Sequence, residues 1–158
     1  MNIRKYVLEL NDERLPTMVC EDSYDYEKAT ALNSPAVIAE MLETCFRLKH
    51  KVEEHVVVIG VNKRLHPVAL FELAHGGSAD CYFLPKELLT RALMCGANGI
   101  IVAHNHPSGN TLPSADDIDI CKRIEHASSI IGIDLIDFII VGDDTYSFRE
   151  REELTNEI

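Results

Sequence analysis

Hydrophobic residues divide the chain into strands and helices that alternate along the sequence. Four largely apolar runs predict strands, at residues 56–61, 68–73, 99–103 and 135–141, and the first of them is continuously apolar. Three stretches with apolar residues at helical spacing predict amphipathic helices, at residues 34–51, 85–96 and 114–132. Because strands and helices alternate without a glycine-rich phosphate-binding pattern, we predict a single α/β domain, a sandwich with a mixed central β-sheet flanked by helices.

Capping and turn residues mark the ends of these predicted elements. Ser34 followed by Pro35 is typical of a helix start, and Gly132 is placed to stop the third helix. Turns at residues 62–64 and 142–144 predict two pairings, of 56–61 with 68–73 and of 135–141 with a short last strand at 145–148.

Other local predictions rest on weaker patterns. Residues 3–10 alternate loosely and predict an edge strand, and a short strand is predicted around 81–83. The acidic stretch that follows the first strand, as far as Glu27, could be a lid, a partner-binding arm or a solvated face. Two helices are expected to bury apolar stripes, formed by Leu88, Leu89, Ala92 and Leu93 and by Ile118, Cys121, Ile124, Ala127 and Ile131.

Composition narrows the classes of partner and compartment. The 158 residues include 15 basic and 26 acidic side chains, a net charge of −11, so phosphate backbones are repelled and direct nucleic-acid binding is not expected. The five cysteines form no C-x-x-C pair, which argues against a disulfide framework and a thiolate zinc site. Without a leader or a membrane-length apolar run, the protein is expected to be soluble and cytoplasmic.

The segment IIVAHNHPSGNTLPSADD, residues 100–117, carries the candidate chemistry. His104 and His106 lie two apart at the end of a predicted strand, so both imidazoles can point to the same side. Asp117, returned by the loop, could supply a carboxylate as the third ligand. Two imidazoles and a carboxylate suit zinc, and three protein ligands leave a fourth position for water, as in catalytic sites.

Structural roles could also explain several of these residues. Ser114 and Asp117 have the spacing of a helix capping box, and a single histidine is often only a hydrogen-bonded core residue. Two alternating histidines before a Pro/Gly loop are harder to explain by packing. Either Glu53 or Glu54 could be the general acid/base, although an exposed acid at a helix end is the alternative.

The combined pattern resembles a known metalloprotease motif. Glu54 before an apolar strand, then His104-x-His106-Pro107 and Ser114-x-x-Asp117, resembles the JAMM motif. More narrowly, EHVVVIGVN, AHNHPSGN, PSADD and DLIDFIIVGDDTYSFRE resemble the RadC family, a bacterial branch of that fold. The resemblance covers residues 34–150 and implies a JAMM/MPN-like, cytidine-deaminase-like sandwich. Residues 1–33 are then an N-terminal extension and 151–158 a C-terminal tail.

The resemblance also implies a mechanism. One zinc ion per chain would be bound by His104, His106 and Asp117, while Glu54 would move a proton from the zinc-bound water to the leaving amine. Ser114 would stabilise the oxyanion. The expected function is zinc-dependent hydrolysis of amide or isopeptide bonds, with a peptide or protein substrate held extended in a groove beside the zinc.

Two alternative functions stay open. The first is a non-catalytic RadC-like accessory or binding protein linked to DNA repair or mobile elements. Full-length RadC proteins usually carry a helix-hairpin-helix region that this chain is too short to hold, so the DNA-repair label is expected to transfer weakly. The second is a nuclease, although nucleases commonly use carboxylate-rich magnesium sites. The sequence predicts no particular oligomeric state.

Overall fold

The computed structural model describes residues 1–76 and 83–154. These residues fold into a seven-stranded mixed sheet with three helices. The strands are β1 (Asn2–Leu10), β2 (Pro16–Asp25), β3 (Glu54–Val61), β4 (Pro67–Gly76), β5 (Gly99–Asn105), β6 (Asp134–Val141) and β7 (Thr145–Ser147). The helices are α1 (Pro35–Phe46), α2 (Pro85–Met94) and α3 (Ala115–Ile131), with a 3₁₀ turn at Leu48–His50. The sheet order is β2-β1-β4-β3-β5-β6-β7. Only the β1–β4 and β5–β6 pairs among these strands are parallel, so the predicted mixed α/β sandwich is confirmed.

The central strands are buried on both faces of the sheet. Along β3, Val56 and Val58 face a core that contains Leu88 of α2 and Ile124 of α3. Val57 and Ile59 face a second core, built on α1 by Ile38, Met41 and Leu42. Helices α2 and α3 therefore cover one face and α1 covers the other. Burial on both sides explains why these strands are largely apolar along their whole length.

Helix α1 begins as predicted and ends earlier than predicted. Ser34 caps it, with its hydroxyl accepting a hydrogen bond from the backbone N–H of Val37. The helix stops at Phe46 because Arg47 adopts the left-handed conformation, with φ at 50°. The prediction of one helix as far as Lys51 was therefore wrong.

Strand β1 is an interior strand, and its prediction as an edge strand was wrong. It lies between β2 and β4, and its Ile3 is fully buried. The edge position belongs to β2, which contains half of the acidic residues of this stretch and is largely exposed. The two strands are joined by a tight turn in which the Asn11 side chain accepts hydrogen bonds from the N–H groups of Glu13 and Leu15.

Several apolar residues predicted to face the core are exposed. Leu93 is 60% exposed, and both Ile118 and Ile131 are exposed as well. On α3 the buried apolar residues are Cys121 and Ile124, so the apolar stripe is narrower than predicted. Ile118 and Ile131 lie near the two ends of the helix.

Two other predictions depend on which residues are described. The strand predicted around 81–83 falls largely outside the described residues, which leave out 77–82. Within the described part of the chain, no helix has the length and apolar character needed to cross a membrane.

Candidate metal centre

The candidate ligands begin at the end of the central strand β5. All seven residues of this strand are buried, and it extends to Asn105, two residues beyond its predicted end. The backbone N–H of His106 still donates to the carbonyl of Val141 on β6, at 2.9 Å. Since side chains alternate along a strand, His104 and His106 lie on the same face, the face that α3 covers.

The loop after His106 turns back to deliver the start of α3. Gly109 has φ at 82°, a conformation that favours glycine, and its N–H donates to the carbonyl of His106 at 3.0 Å. The loop is also pinned by the β6–β7 turn, where the N–H of Asp143 donates to the Gly109 carbonyl at 2.8 Å. A Cβ on Gly142 would overlap that carbonyl, so the close approach requires glycine there.

Three ligand atoms converge where β5 meets α3. The Nε2 atoms of His104 and His106 are 3.0 Å apart, and Nε2 of His104 is 3.1 Å from Oδ1 of Asp117. Nε2 of His106 is 3.5 Å from Oδ2 of Asp117. His104 is buried and the other two residues are half-buried, so the cluster is partly accessible to solvent. The structure therefore brings together the three metal ligands predicted from the sequence.

The imidazole of His106 is oriented by a backbone carbonyl. Its Nδ1–H donates to the carbonyl oxygen of Asn110 at 2.7 Å. A carbonyl can only accept, so this bond places a proton on Nδ1 and directs Nε2, which binds a metal ion once it is deprotonated, toward the cluster. A second hydrogen bond of this kind commonly fixes the tautomer and direction of metal-binding histidines.

Asp117 joins the cluster to the helix cap. Its Oδ2 accepts hydrogen bonds from the N–H of Ser114 at 2.7 Å and from the Ser114 hydroxyl at 2.6 Å. The Ser114 hydroxyl in turn accepts from the N–H of Asp117 at 3.1 Å. The capping box is thus confirmed, and it leaves Oδ1 of Asp117 facing His104.

Hydrogen bonds within the cluster shift the pKa values of its members. Burial acts to raise the pKa of the Asp117 carboxyl, but hydrogen bonds from His104 and His106 hold it well below its usual range. The hydrogen bond to Asp117 raises the pKa of His106 against the effect of burial, and the negative charge of Glu54 contributes to the same shift. The Asp117 carboxylate is therefore ionised at neutral pH, the form in which a carboxylate binds a metal ion.

Glu54 and Glu53, the two candidate bases, have different surroundings. Glu54 is the half-buried first residue of β3, two positions before Val56, which pairs with His104. Because side chains alternate along a strand, Glu54 lies on the same face of the sheet as Val56, the face of the cluster, and its negative charge acts on His106. Glu53 is exposed, and its carboxylate lies 3.3 Å from Nδ1 of His75. Of the two, Glu54 is the one on the side of the cluster.

Sequence reasoning missed two residues that support the site. The side chain of Asn105, between the two histidines, is fully buried and hydrogen-bonded to the backbone around Glu54. A polar residue at a buried strand position was a signal that could have revealed it. Asn110 acts through its backbone carbonyl, a role that carries no side-chain signature in the sequence.

Comparisons with known proteins add to this picture. The model of the family described as "RadC-like JAB domain" matches residues 32–154 of the chain. A UPF0758 protein of Carboxydothermus hydrogenoformans is 38% identical over 109 residues, which are 69% of this chain and 48% of that protein. A UPF0758 protein of Desulfitobacterium hafniense is 32% identical over 121 residues, 76% of this chain and 52% of that protein. The chain spans about half the length of the curated relatives it matches.

Proposed function

The chain belongs to the family of RadC-like JAB domains, and we propose from this premise that it is a zinc-dependent hydrolase of amide or isopeptide bonds, a metallopeptidase of the JAMM type. The observation that carries the proposal is the convergence of His104, His106 and Asp117 on one point. Two imidazole nitrogens and a carboxylate oxygen are a donor set that zinc accepts in catalytic sites.

The spacing of the donor atoms fits zinc. With metal–ligand bonds of about 2.0–2.2 Å, ligand atoms on a tetrahedral ion are roughly 3.3–3.6 Å apart. The separations of 3.0 Å between the two Nε2 atoms and 3.1 Å from Nε2 of His104 to Oδ1 of Asp117 are close to that value. Small side-chain shifts would therefore suffice to bind the ion. Because the described part of the chain supplies three ligands here, the proposal leaves the fourth position to water or substrate.

Zinc held by these residues would activate a water molecule for attack on an amide carbonyl, by lowering the pKa of the water to about 7. Glu54 is the proton carrier in the proposal. Its carboxylate accepts the proton that the attacking water gives up, and it then gives that proton to the departing amine as the C–N bond breaks. The half-buried position of Glu54 beside His106 supports this role, since a general base must lie within reach of the attacking water.

Ser114 has a second role in the proposal, donating a hydrogen bond to the carbonyl oxygen as negative charge develops there. Its single hydroxyl proton is engaged with Oδ2 of Asp117. Stabilising the oxyanion therefore requires the hydroxyl to rotate away from Asp117. The backbone N–H of Ser114, 2.7 Å from the same oxygen, keeps Asp117 in place while this happens.

The proposed substrate is a peptide or protein segment held extended in a groove beside the metal ligands. Leu112, on the loop between His106 and Asp117, is 66% exposed and available to an apolar side chain of a substrate. The net charge of −11 and the carboxylates of Glu54 and Asp116 near the ligands disfavour a phosphodiester substrate. These features support an amide bond rather than nucleic acid.

The test is hydrolysis by zinc-loaded protein of a peptide library and of lysine-linked isopeptides, with products identified by mass spectrometry. Glu54→Gln keeps the volume of the side chain and removes the base, so we expect kcat to fall by about 10²–10⁴-fold while bound zinc is retained. Glu53→Gln is the matched control, because Glu53 precedes Glu54 and is exposed. It should leave kcat unchanged.

Two results would count against the proposal. Equal rates for Glu54→Gln and the wild type would remove Glu54 from the mechanism. A protein that binds zinc and hydrolyses none of these substrates would favour the alternative of a non-catalytic RadC-like binding protein.

A further inference from the structure

We infer that Asn105 is a positioning residue of this site, whose side chain holds the backbone around Glu54 in place beside the metal ligands. The inference rests on the proposed function, because the importance of the position of Glu54 follows from its role as proton carrier. Asn105 itself faces away from the cluster, since it alternates with His104 and His106 along β5.

The Asn105 side chain forms hydrogen bonds with the backbone on both sides of Glu54. Its Oδ1 accepts from the N–H of His55 at 2.8 Å, and its Nδ2 donates to the carbonyl of Glu53 at 3.0 Å. The same amide lies 3.4 Å from the carbonyl of Lys51. The side chain is 0% exposed, so these bonds form away from competing water. The backbone is thus fixed immediately before and immediately after Glu54.

The Asn105 side chain replaces backbone pairing at the point where the pairing of β3 with β5 ends. Backbone pairing between β3 and β5 runs from Val61 with Gly99 to Val56 with His104. At the next position the N–H of His55 binds the Asn105 side chain. The side chain is therefore interposed between the start of β3 and the end of β5, and its size sets the separation of Glu54 from the histidines.

The chemistry of the position specifies asparagine. The surrounding backbone offers one donor and two acceptors, and a primary amide supplies the complementary acceptor and two donors. Aspartate would still accept from His55 but would face the carbonyls of Lys51 and Glu53 with no donor. A hydroxyl on serine is too short to span the same contacts. Asn105 thus links the general base to the strand that carries both histidine ligands.

The first measurement is amide hydrogen exchange by NMR on the full zinc-loaded chain, in Asn105→Asp and in a matched control. Asn105→Asp should speed exchange of residues 53–55 by about tenfold or more, since it removes the two buried hydrogen bonds to the carbonyls of Lys51 and Glu53 and lets the segment open more often. Ser147→Ala is the control, because Ser147 is also buried and its hydroxyl binds Asp137, away from Glu54. It should leave exchange at residues 53–55 unchanged. Asn105→Ser gives the same test without a new charge if the aspartate variant does not fold.

The second measurement separates positioning from general loss of structure. On a peptide cleaved by the wild type, Asn105→Asp should lower kcat by about 10²-fold, because a displacement near 1 Å of a catalytic group has an effect of that size. KM and bound zinc should not change. In a Glu54→Gln background the same substitution should have no further effect on kcat, since it acts through Glu54.

Either of two results would overturn the inference. Unchanged exchange at residues 53–55 would mean that Asn105 does not hold the segment. An equal fall in kcat with and without Glu54 would mean that Asn105 acts by another route. If the wild type cleaves no substrate, the proposed function fails, whereas the exchange measurement still decides whether Asn105 fixes the segment that carries Glu54.

Discussion

Two histidine pairs lie at the same end of the sheet, and they are arranged differently. His104 and His106 tilt toward each other, with ring centroids 4.9 Å apart and an interplanar angle of 58°. His55 and His75 stack, with centroids 5.3 Å apart and an angle of 21°. Each ring of the second pair binds its own carboxylate through Nδ1, Glu72 for His55 and Glu53 for His75.

The difference follows from how each pair is placed on the sheet. His55 and His75 are direct partners on the antiparallel strands β3 and β4, so their rings lie side by side. His104 and His106 follow each other along one strand that ends in a turn, and the loop returns Asp117 to the point that both rings face. Among the described residues, only this pair belongs to a group of three ligands within 4.8 Å. Convergence, rather than the number of histidines and acids nearby, makes a metal site.

The largest effect expected is the loss of zinc affinity in Asp117→Asn, which changes one of the three converging ligands. This substitution keeps the side-chain volume but removes the anionic ligand. Zinc affinity should therefore fall by about 10²-fold or more, a larger loss than substitutions of residues outside the ligand set produce. Competition with a chromophoric chelator measures it. Asp116→Asn is the control, since Asp116 is exposed in the same first turn of α3. Equal affinities in the two variants would show that Asp117 is not a ligand.

The pH dependence of zinc binding sharpens the comparison. Zinc must displace the proton on Nε2 of His106, whose pKa is raised by its hydrogen bond to Asp117. Zinc affinity should therefore weaken as pH falls through this raised pKa, by about tenfold per pH unit for one displaced proton. In Asp117→Asn, which lacks that charged partner, the change should begin at lower pH. Affinity that stays constant between about pH 5 and pH 8 would contradict this account.

The smallest effect expected is that of the helix cap. Ser114→Ala should lower the free energy of unfolding by about 1 kcal/mol, measured by urea unfolding without metal. Ser34→Ala removes the cap of α1 and should have a similar effect on stability. Only Ser114→Ala should also weaken zinc binding, by about tenfold, since Ser114 orients Asp117. Zinc affinities that match in the two variants would limit Ser114 to a structural role.

Much of the fold could be predicted because its signals are local or periodic. The central strands are apolar on both faces, and the caps at Ser34 and Ser114 mark helix starts directly. The position of β1 could not be predicted, since its parallel pairing with β4 joins segments far apart in the chain. The break at Arg47 was also missed, because arginine seldom adopts the left-handed conformation that ends α1.

The candidate site was predictable where chemistry is carried by side chains at fixed spacing. His104 and His106 lie two residues apart at the end of a strand. Asp117 lies in the first turn of α3, whose start is marked by Ser114. The supporting contacts were not predictable in the same way. The Asn110 carbonyl belongs to the backbone, and the contact between Gly109 and the β6–β7 turn depends on how two distant loops pack.

The most direct test of the central claim is the zinc content of three proteins purified and then supplied with zinc, namely the wild type, His106→Ala and His75→Ala. The account predicts about one zinc per chain in the wild type and in His75→Ala, and none in His106→Ala, because only the first histidine pair converges with a third ligand. Circular dichroism checks that each protein is folded. A folded wild type that takes up no zinc, or His106→Ala protein that still binds it, would contradict the account.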